Sequence, residues 1–310
     1  NFKHQLTLPQ NDISEIRGIV GATPLAATME DIKGRALMKR DEVDVVQFAL
    51  PVAGDNDIQI INNLRDQVQS LKEMWTGRTP AGIPMVPDEL TEAAFYGRED
   101  VAALLDEGKV PLGLDLETVE PVTWDLKKGN LLYLTDKEEQ MTQFVKQIAR
   151  SKQKVIVLAP AYNELPEMEG VTILSTKEAY VAGIKKMEEN IQLRLEQQKS
   201  QHEATIVLYN QLELMNDLSM DLQSSLNYVL EKGARAGYAT VAMSGSQLNR
   251  KIDEVSKSIK LYKQAIVAMR ITDQSVLNVI NRPVREEPLD SQVNYYVEDG
   301  FVRKVKVLMK

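Results

Sequence analysis

The apolar positions of this chain follow two different periods. Ile61, Leu64, Val68, Leu71 and Trp75 recur at spacings of 3, 4, 3 and 4, which puts them on one face of a helix running from about Asn56 to Trp75. Gly77 ends it, and Pro80, Gly82, Pro84 and Pro87 form a linker. A short helix is expected over Asp88 to Leu105, ending near Gly108. From Val110 the apolar residues gather instead into short runs: Leu112 to Leu116, Val122 to Leu126, Leu131 to Leu134, Lys154 to Leu158, Val171 to Leu174, Ala204 to Leu208, Tyr238 to Ala242 and Gln264 to Ala268. Helical stretches separate several of them, including Lys177 to Gln198 and Asp217 to Lys232. Nearly continuous apolar strands alternating with helices predict a mostly parallel sheet covered on both faces. In such a sheet, ligands bind at the carboxyl ends of the strands.

Two hairpins flank this pattern. One runs from Gly34 to Leu50 around the polar turn Arg40-Asp41-Glu42; the other joins Val293 to Val297 and Phe301 to Val307 through Glu298-Asp299-Gly300, where Asp-Gly is a hairpin signal. Placing Asp41 on Asp299 gives an offset of 299 − 41 = 258 residues. An acidic approach punctuated by Gly or Pro precedes each, Met29 to Gly34 and Arg285 to Asp290. The pair reads either as an internal repeat, with the chain opening on the tail of one module and then holding one whole copy, or as two ordinary hairpins far apart; periodicity alone leaves both open.

Composition narrows the class. The chain has 310 residues, 43% hydrophobic, with 37 Lys+Arg against 45 Asp+Glu for a formal charge of −8. That is a globular composition, long enough for one full domain and a remainder. It carries no cysteine and only two histidines, His4 and His202, which excludes disulfides, thiol catalysis and thiolate metal sites. The acidic balance argues against nucleic acid as a partner, because that affinity rests on Lys and Arg neutralising phosphates. No apolar run approaches the ~18 residues of a membrane span, and no charged-then-apolar leader opens the chain. The start at Asn1, without an initiator Met, is read as that of a fragment.

A phosphate-binding α/β domain would carry a glycine-rich turn after its first core strand, then Lys and Ser/Thr opening a helix. The glycines let backbone N–H groups approach phosphates, the lysine neutralises charge and the hydroxyl holds Mg²⁺. Set against G-x-x-x-x-G-K-[ST], the stretch after Leu134 places Thr135 and Gln140 at the glycines and Met141 at the lysine; only Thr142 is retained. The acidic pair expected after a later strand is replaced by Asn210 and Gln211, which keep the shape of acids without their charge. Asp136, Glu138 and Glu139 lie where phosphates would sit. At roughly 4 Å and an effective dielectric near 20, each like-charge contact costs on the order of 4 kcal/mol. The same residues also read as a plain strand-to-helix turn, with an N-terminal cap and acids favoured by the helix dipole.

Further motifs carry a resemblance. The run Pro111-Leu112-Gly113-Leu114-Asp115-Leu116-Glu117 through Pro121-Val122-Thr123-Trp124-Asp125, the Gly233-Ala234-Arg235-Ala236-Gly237 turn and the closing Tyr-Tyr-Val-x-Asp-Gly hairpin resemble the FtsK/SpoIIIE family of motor ATPases, and within it the membrane-anchored coupling proteins of Gram-positive type VII secretion. The likeness covers Val110 to Lys310 as the last of the tandem ATPase modules, D3, and Ile32 to Pro51 as the end of the module before it. It implies a RecA-like P-loop three-layer sandwich with a C-terminal hairpin and a degenerate nucleotide site. The implied division is 1–55 as the tail of the preceding module, 56–109 as connecting helices and linker, and 110–310 as the D3 module.

The resemblance also implies a role. The parent would be an ATPase anchored at the cytoplasmic face of the membrane by segments outside this chain, exporting small WXG100-class proteins. This module would serve recognition, coupling or regulation and would be inactive alone, with no resident cofactor and at most weak ATP and Mg²⁺ binding. The alternative is a weak ATP-binding motor module whose hydrolysis a neighbouring subunit completes. Implied partners are neighbouring ATPase modules, the secreted proteins and other secretion subunits. Arg235 matches the family's Arg before the Gly in position, a candidate contact across a subunit interface. Without a nucleotide bridging subunits, the fragment would be monomeric, whereas the parent is a candidate hexamer.

Other residues carry blander readings. His202 has no second ligand in spacing and is not read as a metal site. Met187, Ile191 and Leu195 form helix core, and Lys185-Lys186 with Glu188-Glu189 a solvated face. Arg303 to Lys306 reads as the polar face of a strand. Tyr295, Tyr296 and Trp124 are placed at the sheet edge, or at a partner interface if exposed.

Overall fold

A computed structural model of the chain describes residues 3–78, 82–126, 129–151, 153–280, 282 and 285–308. Asn1, the expected linker residue Pro80 and Lys310 lie outside them. The chain divides into two compact units, Asn1–Gly82 and Ile83–Lys310, with the cut inside the expected connecting segment.

The first unit contains β1 (Gln5–Thr7), α1 (Ile13–Val20), β2 (Arg35–Lys39), β3 (Val43–Gln47) and α2 (Asp57–Met74). The strands form an antiparallel sheet in the order β1-β2-β3. Asp12 starts α1 by accepting the Ser14 N–H at 2.8 Å, and the helix packs Ile16 and Val20 against Leu37 of β2. Asn56 caps α2 by accepting the Gln59 N–H at 3.0 Å. None of the residues of α2 is buried.

The second unit opens with α3 (Glu92–Tyr96) and α4 (Glu99–Asp106), followed by β4 (Val110–Asp115), β5 (Pro121–Trp124) and β6 (Leu131–Leu134). Next come α5 (Glu138–Ala149), β7 (Val155–Leu158), β8 (Val171–Leu174), α6 (Lys177–Glu196), β9 (Ala204–Leu208), α7 (Gln211–Asp217) and α8 (Met220–Lys232). The chain closes with β10 (Tyr238–Ser244), α9 (Glu254–Lys260), β11 (Gln264–Val267), β12 (Val293–Glu298) and β13 (Phe301–Lys306).

Ten strands form one sheet, ordered β5-β4-β13-β12-β11-β6-β10-β9-β7-β8. From β11 to β8 every pairing is parallel; from β12 to β5 every pairing is antiparallel. Alternate side chains of β6 enter opposite cores, as strand pleating requires. Leu132 and Leu134 pack with residues of α6, α8 and α9, and Leu131 and Tyr133 with Met141, Phe144, Val145 and Ile148 of α5. Helices on both faces of a mostly parallel sheet make the expected three-layer α/β sandwich. At the 258-residue offset β2 and β3 fall on β12 and β13, and β1 falls on 263–265, where β11 begins. Both sets pair antiparallel in the same order.

Several local expectations are corrected. The helix expected over Asp88 to Leu105 is broken into α3 and α4 because Arg98 is extended, its guanidinium held by Asp100 and by the Val119 carbonyl at 3.2 Å. The helix expected from Asp217 starts at Met220, because Leu218 leaves α7 in an extended conformation to bury its side chain in the core. Lys306 is not on a solvated strand face. Because β13 is an interior strand, Lys306 is only 7% exposed, with its ammonium 3.8 Å from Asp290. Tyr295 and Tyr296 lie in interior β12 and are buried, packed into the two opposite cores, whereas Trp124 does lie on edge strand β5, donating from its indole Nε1 to the Gly129 carbonyl at 3.1 Å. None of the three is exposed for a partner.

The long approach to β12 is tied back by Glu286. Its carboxylate accepts from the Ile271 N–H at 2.9 Å, the Thr272 N–H at 3.0 Å and the Thr272 hydroxyl at 3.1 Å. Burial pushes its pKa up, but hydrogen bonds from Tyr295, Thr272 and Ile271 together hold it below the ordinary value. A carboxyl depressed by folding contributes stability that is present above its unfolded pKa and lost as pH falls through the folded one. Amide protection at Ile271 and Thr272 is therefore expected to drop as pH falls below about 4, and Glu286→Gln is expected to remove that dependence. An unchanged acid response in the variant would refute the assignment.

Candidate functional site at the strand ends

The chain leaves β6 through α5 toward β7 and leaves β10 through α9 toward β11, in opposite directions along the sheet. The crevice between the carboxyl ends of β6 and β10 is thus a topological switch point, where open α/β sheets bind ligands. Thr135, Asn210 and Gln211 all lie at strand ends bordering it.

The connection from β6 to α5 is three residues long, 135–137. Thr135 is fully buried, and its N–H donates to the Ser244 carbonyl at 2.9 Å. Its hydroxyl donates to Gln140 Oε1 and accepts the Lys137 N–H at 3.1 Å, so the turn is closed by its own side chains. Asp136 reaches across the crevice, accepting the Ser246 N–H at 2.9 Å. Its Oδ1 stands 2.5 Å from where a Cβ on Gly245 would be, so only glycine admits this approach. Glu138 and Glu139 fall in the first turn of α5, where the helix dipole favours acids.

Because α5 starts at Glu138, Met141 and Thr142 sit inside the helix rather than at its opening. Met141 is 3% exposed and packs into the core beneath α5. The Thr142 hydroxyl is paired with the Tyr209 hydroxyl at 2.9 Å, and Tyr209 donates to the Glu138 carbonyl at 3.1 Å. Burial raises the Tyr209 pKa, with Thr142 opposing and Glu138 adding to the rise.

After β9, Asn210 takes the left-handed conformation, φ 46° and ψ 58°. Its amide donates to the Tyr162 hydroxyl at 3.2 Å and to Glu138 at 3.4 Å. Gln211 turns inward and is fully buried: its Oε1 accepts from the Ser244 hydroxyl at 3.1 Å, and its Nε2 donates to the Ser256 hydroxyl at 3.2 Å. A groove of about 460 Å³ beside α5 is lined by Glu138, Glu139, Thr142, Tyr162, Glu164 and Tyr209. Its surroundings are acidic: burial raises the Tyr162 pKa, and Glu213, Glu138 and Asp217 raise it further.

Thr135 and Gln140 thus bond to each other in the turn after β6, Thr142 lines the acidic groove beside Tyr209, Asn210 meets Tyr162 and Glu138, Gln211 is buried between Ser244 and Ser256, and Met141 packs into the core. Arg235 lies apart from them, exposed on the Gly233–Ala236 turn before β10. Arg194 anchors that turn, donating to the Ala236 carbonyl at 2.7 Å and pairing with Glu203 at 2.8 Å. Sequence reasoning missed Tyr209, Ser244, Ser246 and Ser256. The small polar run Ser244-Gly245-Ser246 at the end of an apolar strand was the available signal. Among the described residues no cluster of three His, Asp or Glu could hold a metal ion, and no helix is long and apolar enough to cross a membrane.

No family model matches the chain. It is 25% identical to the type VII secretion system protein EssC of Staphylococcus aureus strain MRSA252, over 99% of this chain and 21% of that protein. It is 27% identical to the ESX secretion system protein YukB of Bacillus subtilis strain 168, over 99% of this chain and 22% of that protein. The chain thus spans about a fifth of the length of these curated relatives. Among solved structures it matches EssC ATPases 2 and 3 from Geobacillus thermodenitrificans with a TM-score of 0.77 at 22% identity, covering 99% of this chain and 60% of that one. It also matches Thermomonospora curvata EccC ATPases 2 and 3 in complex with a signal sequence peptide, with a TM-score of 0.56 at 17% identity, covering 89% of this chain and 53% of that one. Along nearly its whole length, then, the chain is similar to the EssC, EccC and YukB ATPases of type VII secretion, and its α/β fold is that of their P-loop ATPase modules.

Proposed function

We propose that residues 110–310 are the C-terminal ATPase-like module of a type VII secretion coupling protein, with a decayed nucleotide site that serves recognition, coupling or regulation rather than hydrolysis. Residues 1–55 are the end of the preceding ATPase module and 56–109 the connection. The repeated β1-β2-β3 and β11-β12-β13 sets support that division. The parent works at the cytoplasmic face of the membrane, exporting small WXG100-class proteins, and is anchored by segments outside this chain. One relative holds a signal sequence peptide, and we extend to this chain the binding of an export signal. Arg235, exposed at its anchored turn, is our candidate for contact with a neighbouring module.

One observation carries the decayed site: the three-residue turn at 135–137 is closed by Thr135, Gln140 and Asp136, leaving no glycine-lined cradle, and the lysine position is buried as Met141. A triphosphate would have to break these bonds and enter an acidic groove. These side chains do not fit ATP with Mg²⁺, and no catalytic step is assigned to them. Titrating a fluorescent ATP analogue with Mg²⁺ is expected to show no saturable binding tighter than about 0.1 mM, with no turnover. Tighter binding, or turnover abolished by Thr142→Ala or Asn210→Ala, would overturn the reading.

A further inference from the structure

The sheet of the first unit is apolar on both faces and covered on one. Residues directly opposite each other on paired strands share a face. Thr7, Leu37 and Val45 thus lie on one face, and Leu6, Met38, Ala36 and Val46 on the other. The first is covered by α1, whose Ile16 and Val20 pack on Leu37. On the second, Ala36 is buried and Met38 and Val46 are half-buried, but Leu6 is 40% exposed, and Phe48, which follows β3, is 47% exposed. A charge, Asp44 opposite Met38, interrupts this face at its turn end. An antiparallel sheet with one wet face alternates apolar and polar residues; one that is apolar on both sides is built to be covered twice. Its edges are open as well, since among the described residues β1 and β3 each pair only with β2.

The second unit holds the same three strands with these sides occupied. Matched by pairing, Leu6 opposite Met38 corresponds to Ile266 opposite Tyr296, and Ala36 opposite Val46 to Asn294 opposite Val305. The match extends past the strands: Phe48 donates its N–H to the Gly34 carbonyl at 2.8 Å, as Val307 does to the Gln292 carbonyl at 2.7 Å. Ile266, Tyr296 and Val305 are buried in one core with Met141, Phe144 and Val145 of α5, and Val307 packs against that core. On the outer sides β6 joins β11 in parallel and β4 joins β13 antiparallel. The positions left open in the first unit are those that one helix and two strands cover in the second.

We infer that the open face of β1-β2-β3 is an interaction surface for the part of the parent that precedes this chain, which rests on the reading of residues 1–55 as the end of a preceding ATPase module. A helix with an apolar stripe like that of α5 lies on Leu6, Met38, Val46 and Phe48. A strand like β6 runs parallel to β1, and a strand like β4 runs antiparallel to β3. Only an α/β unit of the same build satisfies all three sides together: a lone helix leaves both edges unpaired, and an added strand leaves the face bare. The curated relatives are long enough to supply such a unit, this chain spanning about a fifth of their length.

Hydrogen exchange of the 310-residue chain is compared with that of the same chain lengthened at its N-terminus by the preceding module of its parent. Amides of β1 and β3 are expected to exchange at least about tenfold more slowly in the longer chain, while those of β12 and β13, already covered, stay as they are. Leu6→Asp is expected to abolish that gain. Because Leu6 is exposed in the 310-residue chain, the same substitution there should leave the circular dichroism unchanged. Val45→Asp is expected to keep the gain, since Val45 lies on the α1 face, where its counterpart by pairing is the exposed Lys304. Unchanged exchange of β1 and β3, with the added residues folded as an α/β module by circular dichroism, would overturn the inference and leave the division of the chain standing. Added residues that form no such module would overturn both. Protection that survives Leu6→Asp, or that appears in the 310-residue chain and rises with its concentration, also counts against it, because another surface or a second copy would then be the cover.

Discussion

Met141→Lys, which restores the residue a phosphate-binding loop carries at this position, is expected to destabilise the module and to create no ATP site. On α5 the side chains of Met141, Phe144, Val145 and Ile148 form the buried stripe, and Met141 is 3% exposed among them. A lysine there loses the packing of the thioether and must either strip its ammonium of water or release its proton. The cost of an uncompensated buried charge is on the order of 3–5 kcal/mol, which for a module of this size lowers the melting temperature by roughly 10 °C. Adding Gln140→Gly removes the acceptor of the Thr135 hydroxyl and loosens the turn without lengthening it. Thermal unfolding with and without Mg²⁺-ATP checks both points. A Met141→Lys chain that melts like the parent and gains several degrees with nucleotide would sink the argument. Lys146→Arg, exposed on α5 and keeping its charge, is the control, with an expected change within about 0.5 kcal/mol.

The contrast between those two substitutions also shows what was readable in the residues. Aligned with the phosphate-loop pattern, Thr135, Gln140 and Met141 were seen to be the wrong chemistry, because that judgement needs only residue types. That the turn before α5 is also tied by Asp136 to Ser246, 110 positions away, is encoded by no local pattern, unlike the bond between Thr135 and Gln140. The same divide runs through the fold. The parallel strands were legible as apolar runs, and Asp299-Gly300 as a hairpin turn because both residues adopt positive φ, 49° and 86°. Burial of Lys306 was not legible: it follows from β4 closing against β13, a pairing across almost 200 residues that turns an apparent edge strand into an interior one. Gln211 likewise reads as a solvent-facing amide until Ser244 and Ser256, from two other elements, are placed on its two ends.

Gly237→Ala is expected to cost about 3 kcal/mol or more and to displace Arg235 from its place beside β10. Gly237 ends the turn with φ at 84°, a region in which a Cβ costs roughly 1–2 kcal/mol. Space adds to that strain, since the new Cβ would stand 2.0 Å from the Gln201 carbonyl oxygen, which is backbone and cannot rotate away. The strand that enters β9 would have to move, and with it two bonds that fix the turn: the Glu203 N–H donated to the Gly237 carbonyl at 2.8 Å and the Arg194 guanidinium held between Ala236 and Glu203. Gly233, at the other end of the same turn, has φ at −57° and ψ at −45°, and a Cβ there meets nothing closer than 3.3 Å. Gly233→Ala should therefore cost less than about 1 kcal/mol, although it lies four residues away in the same segment. Denaturant unfolding of the two variants measures the difference. If Arg235 makes the inter-module contact proposed for it, Gly237→Ala will weaken that contact even under conditions where the chain remains folded, whereas Gly233→Ala will leave it intact. Equal losses of stability in both variants would show that the turn relaxes freely and that neither its left-handed glycine nor its Arg194 anchor sets the position of Arg235.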